Sequence, residues 1–86
     1  MKGNLTEECR DSLLNALETQ LDTRDKRYMF LKMEFKRLVA RIDLEGSSKQ
    51  TAWNIYDQFE KQSMLGSLIA CLNAKLDTEI DFETIT

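Results

Sequence analysis

From Leu5 to Leu76 the apolar side chains return at intervals of three and four, and no proline interrupts them. That spacing stacks them along one side of successive α-helices, so the chain is read as all-helical. Leu5, Cys9, Leu13, Ala16, Leu17 and Leu21 define a first helix over Leu5–Leu21. Asn4 is its expected cap, accepting from the Glu7 N–H while Glu7 reaches back, and Thr6 is the competing cap. Glu7, Glu8 and Asp11 sit in the opening turns, where negative charge complements the helix dipole.

Asp22 and Thr23 offer caps for a second run, in which Leu31, Phe35, Leu38 and Ile42 follow at four, three and four. Met29, Phe30, Met33 and Val39 widen this stripe. No proline or glycine marks a break, so one long helix and two shorter ones both fit the spacing. A bend between Lys32 and Lys36 is expected, because a straight helix would turn Phe30 or Val39 toward water. Gly46 suits the left-handed conformation that ends a helix. Ser47 and Gln50 then form a Ser-x-x-Gln capping box, with Ser48 as an alternative cap.

Ala52, Ile55, Tyr56 and Phe59 make the buried face of the next helix, with Trp53 on its flank. The register shifts near Ser63, which places a turn at Gln62–Ser63. Met64, Leu65, Leu68, Ile69, Leu72 and Leu76 form a last stripe, and Gly66 within it marks a close helix contact or a turn. After Leu76 the helical period stops: Ile80, Phe82 and Ile85 stand among acids and threonines. Residues 1–76 thus read as one helical domain, and 77–86 as an acidic tail, docked in extended form or opening a linker.

A chain of 86 residues supports a single small core, burying about 60 to 65% of the surface its unfolded form exposes. No apolar run approaches the roughly 20 residues that cross a bilayer. Glu7 and Glu8 interrupt any secretory signal, so a cytoplasmic protein is expected. Cys9 and Cys71 fall on apolar faces, where free cysteine behaves as a small hydrophobe; a Cys9–Cys71 bridge is the alternative. Two cysteines without histidine make no zinc site, and no cofactor is expected.

The lack of histidine also excludes Ser-His and Cys-His nucleophilic chemistry. Glu7 and Glu8 are neighbours on a helix and diverge. Gly46-Ser47-Ser48-Lys49 lacks the first glycine, the preceding strand and the Gly-Lys-Ser/Thr order of a phosphate loop. No catalytic residues are assigned, and the chain is expected not to be an enzyme.

Charge distribution carries more. The formal net charge of −3 hides a basic run of Arg24, Lys26, Arg27, Lys32, Lys36, Arg37 and Arg41, opposed only by Asp25 and Glu34. Asp77, Glu79, Asp81 and Glu83 follow in the tail without a base. The spacing of Lys32 with Lys36, and of Arg37 with Arg41, puts ridges of charge on the outer face of the second helix. A solvated face is one reading of that stripe, and a nucleic-acid surface is another, opposed by the acidic overall charge. The third is association with a partner of complementary charge, since opposed patches steer partners together. On it, Arg24, Arg27, Lys32, Lys36, Arg37 and Arg41 form the positive surface, and Asp77, Glu79, Asp81 and Glu83 the negative one. A plain oligomerisation unit built on Met29, Phe30 and Met33 is a further alternative. Tyr28, Trp53 and Tyr56 are expected to pack in or beside the core.

The runs Arg10 to Leu17, Leu31 to Ile42, Gly46 to Phe59 and Met64 to Ile69 together resemble the bacterial effector-associated domains, also called bacterial death-like domains. The resemblance covers Arg10 to Leu76 and rests on apolar spacing, not on a catalytic signature. Leu21-Asp22 and Gln62-Ser63 stand where that family often carries a proline and a glycine. The resemblance implies a death-like fold, a compact antiparallel bundle of five or six helices. It implies like-with-like association that brings an effector to its sensor in prokaryotic defence or signalling. The expected partner is a protein carrying a matching death-like domain, itself included, with no membrane and no small-molecule substrate.

Overall fold

Side-chain caps at Thr6, Thr23 and Ser47 set where three of the helices begin. The computed structural model describes residues 5–76 and 78–82, and among them five helices account for the regular structure. Helix α1 (Glu7–Gln20) opens at Thr6, whose hydroxyl accepts from the Cys9 N–H at 3.2 Å. Thr6 therefore holds the cap position assigned to Asn4, which lies outside the described residues. Leu5 and Leu21, expected inside this helix, flank it and are both buried.

Thr23 caps α2 (Arg24–Glu34), accepting from the Lys26 N–H at 3.2 Å. The anticipated bend falls at Phe35, whose φ of −139° and ψ of 56° separate α2 from the short α3 (Lys36–Val39). Its ring meets the buried Phe59 edge-on, with centroids 4.7 Å apart. That packing supplies a reason for the break where the sequence shows no proline or glycine. Met29 and Met33, expected to widen the buried stripe, are instead 57% and 75% exposed. The break leaves α2 with a narrow inner face of Arg27, Phe30 and Leu31.

The chain leaves α3 at Val39, three residues short of Ile42, and runs irregularly to α4 with Ile42 and Leu44 buried. Gly46 has a φ of +101°, but it stands in this connection, not at a helix end. Ser47 caps α4 (Ser48–Lys61), accepting from the Gln50 N–H at 3.1 Å. The box is half made, because the Gln50 amide turns forward and donates to Asn54 Oδ1 instead. A turn at Gln62 and Ser63 leads into α5 (Leu65–Lys75), as the shift in register predicts.

Helix α1 packs chiefly on α4. Leu13, Leu17, Ile55 and Phe59 are fully buried, joined by Leu68, Ile69 and Leu72 of α5. Beyond Leu76 the chain docks. Asn73 donates from Nδ2 to the Ile80 carbonyl at 2.8 Å, and its Oδ1 accepts from the Ile80 N–H at 2.9 Å. One amide thus satisfies both backbone groups of Ile80, as a neighbouring strand would. Ile80 enters the same core, and the Phe82 ring lies over Gly66 in the first turn of α5. A Cβ at Gly66 would meet that ring at 3.6 Å, so the close contact expected there is with the tail. The radius of gyration of 11.8 Å matches the ~12 Å of a compact domain of this length.

Candidate functional site

The basic residues grouped by the sequence are divided by the fold. Arg27 leaves the surface altogether: it is 4% exposed and makes four hydrogen bonds. Its Nε donates to the Leu21 carbonyl at 2.9 Å, Nη1 to the Leu44 carbonyl at 3.3 Å, and Nη2 to the Asp22 carbonyl at 3.2 Å and to Ser48 Oγ at 2.9 Å. The guanidinium fork serves three carbonyls and a hydroxyl from three segments, a geometry that lysine cannot reproduce. Arg27 is therefore a clamp between the start of α2, the connection before α4 and the start of α4, and it is withdrawn from the partner-binding set. Its spacing of three and four from Phe30 and Leu31 was the signal that placed it on the inner face.

Arg24 is spent locally, 2.6 Å from Glu45 Oε1, and Lys26 pairs with Asp22 at 3.0 Å. Lys26 also holds the Asp22 carboxyl below its ordinary range, first through that hydrogen bond and then through its charge. Lys32 lies 5.5 Å from the centroid of the exposed Tyr28 ring. The expected Lys32–Lys36 ridge does not form on one helix, because Phe35 intervenes: Lys32 belongs to α2 and Lys36 to α3.

Lys36, Arg37 and Arg41 do come together, on the rim of a groove of about 520 Å³ lined with Phe35, Leu38 and Met64. Leu38 is buried and Phe35 and Met64 are half-buried, whereas the three cations are exposed. None of the three makes an ion pair among the described residues. Glu34 also borders the groove, 3.8 Å from Lys75. The volume lies in the range of ligand-sized clefts. An apolar floor under free positive charge can take an anionic group that carries a hydrophobic anchor.

On the acidic side, Glu79 and Asp81 join Glu8 of α1 around a shallower depression of about 150 Å³. These acids likewise make no ion pair among the described residues. Asp77 and Glu83, the other two acids expected on the negative surface, lie outside the described residues. Glu8 carries no signal of this role in the sequence, where its place in the first turn of α1 is explained by the helix dipole; only the returning tail sets it beside Glu79.

No family model, curated protein or solved structure matches the chain. The site must accordingly be read from its own chemistry. Among the described residues no group of three or more metal-ligating side chains converges, and no helix is long and apolar enough to cross a membrane.

The thiols are unpaired, Cys9 buried and Cys71 partly so. Burial first, then the Glu34 carboxylate beside it, push the Cys71 thiol from an ordinary 9.0 up to about 11. Only the thiolate attacks an alkylating agent. Iodoacetamide at pH 8 is expected to label Cys71 about a hundredfold more slowly than an unhindered thiol, in line with that displacement; labelling at the free-thiol rate would show that Glu34 and burial do not hold it. A raised acid favours the folded chain below the unfolded value, so this contribution is lost as the pH climbs from 9.0 through about 11.

Proposed function

We propose that the chain is a non-enzymatic interaction module that associates with a matching helical domain through surfaces of opposite charge. The observation that carries this reading is the groove beside α3, where Lys36, Arg37 and Arg41 stand over Phe35, Leu38 and Met64 with no ion pair among the described residues. Free cations at the edge of an apolar depression supply orientation and on-rate, and the depression supplies contact area. The acids Glu8, Glu79 and Asp81 form the opposite pole. The death-like architecture and a role in bringing an effector to its sensor in prokaryotic defence belong to this proposal, with the helical spacing as their support.

The test is light scattering after size exclusion, over a series of protein and salt concentrations. Association is expected at low salt and dissociation as the Debye length shrinks from ~30 Å at 0.01 M to ~8 Å at 0.15 M. Lys36→Glu with Arg37→Glu should weaken association about tenfold or more while leaving the helical circular dichroism unchanged. A folded double variant that associates as strongly as the parent removes the groove from the reading.

A further inference from the structure

The groove and the described end of the tail are complementary, and neither makes an ion pair among the described residues. Ile80 is turned into the core and held by Asn73, which leaves its neighbours Glu79 and Asp81 exposed. Phe82 follows with its ring on Gly66 and 54% of its surface still open to solvent. The segment thus presents two carboxylates and an aromatic edge on a backbone that is already fixed. The groove presents the converse, three cations without an ion pair among the described residues above a floor of two half-buried apolar side chains and a buried leucine.

We propose that the groove of one copy receives the Glu79–Phe82 segment of a second copy. The carboxylates of Glu79 and Asp81 face Lys36, Arg37 and Arg41, and the open edge of Phe82 packs against Phe35, Leu38 and Met64. The inference rests on the association reading above and names the two halves of the contact. Docking needs little ordering, because Asn73 holds the segment before the partner arrives, and a pre-organised segment loses less conformational freedom on binding. The acidic depression and the groove share no residue. The two halves of the contact are therefore unlike and can be disabled one at a time, whether copies join head to tail or make the contact twice about a two-fold axis.

That asymmetry gives a decisive experiment. One variant carries Arg37→Ser and Arg41→Ser and keeps its segment; the other carries Asp81→Ser and Phe82→Ser and keeps its groove. Each alone is expected to self-associate at least about tenfold more weakly than the parent at low salt, as loss of a hot-spot contact would produce. Mixed in equal amounts they should form a one-to-one pair and nothing larger, because only one intact groove and one intact segment remain. Circular dichroism checks that both are folded. If the parent associates but the mixture stays monomeric, or if either variant alone associates like the parent, the groove–segment pairing is overturned and the broader association reading stands. A parent that is monomeric at every salt concentration overturns the pairing as well, and moves the broader reading to a separate partner.

Discussion

Replacing Arg27 with alanine should lower the free energy of unfolding by about 3 to 4 kcal/mol, which for a domain of this size moves the thermal midpoint down by roughly 15 °C or more. The guanidinium is almost wholly removed from water and makes no ion pair among the described residues; its hydrogen bonds go to three carbonyls and a hydroxyl. Removing it leaves the Leu21 and Leu44 carbonyls buried without that donor, at about 1 to 3 kcal/mol each. The Asp22 carbonyl is protected in part, since Ser48 Oγ still donates to it at 3.3 Å. A lysine at this position reaches one or two of the four oxygens and should recover only part of the loss. Arg24→Ala is the control: its pair with Glu45 is exposed on both sides, and such pairs contribute about 0 to 1 kcal/mol. Equal melting temperatures for the Arg27 and Arg24 variants would show that the clamp is not what joins these three segments.

Phe59→Ala should cost about 4 to 5 kcal/mol. The ring is 0% exposed, belongs to the one core cluster and meets Phe35 edge-on at the break between α2 and α3. Truncating a buried phenylalanine loses about 3 to 5 kcal/mol through transfer and cavity terms, and an edge-on aromatic pair adds roughly 0.5 to 1.5. Total stability for such a domain is on the order of 5 to 10 kcal/mol, so the variant should unfold well before the parent in urea. Phe59→Leu keeps most of the apolar volume and loses the aromatic pair, and a cost of about 1 to 2 kcal/mol is expected of it. Urea midpoints separate the two effects: an alanine variant no less stable than the leucine variant would place the weight of the core elsewhere.

Helix existence was legible because it is a local property. Leu13, Leu17, Ile55, Phe59, Leu68, Ile69 and Leu72 recur at three and four, and all are buried where the spacing puts them. Capping was legible to within a residue or two, since a hydroxyl three positions before a free N–H needs no distant partner. The turn at Gln62–Ser63 and the bend near Phe35 could be read from the failure of the apolar stripe to stay on one face. Apart from the spacing of Arg27 to Phe30 and Leu31, the basic surface was legible only as composition. Counting cations along the chain could not distinguish Arg27, which shares the inner face of Phe30 and Leu31, from Arg37, which stands in solvent.

The spacing of apolar residues by itself determined that this protein is helical and, for α1, α4 and α5, which side meets the core, because a helix of 3.6 residues per turn converts sequence interval into direction. Tertiary structure alone decided which charges remain free. Arg27 is consumed by carbonyls 5 to 17 residues away and a hydroxyl 21 away in the chain, and Arg24 by a carboxylate equally remote. Glu8 meets Glu79 and Asp81 because Asn73 turns the tail back onto α1. Such pairings depend on which segments the core brings side by side, and that proximity has no period in the sequence to record it.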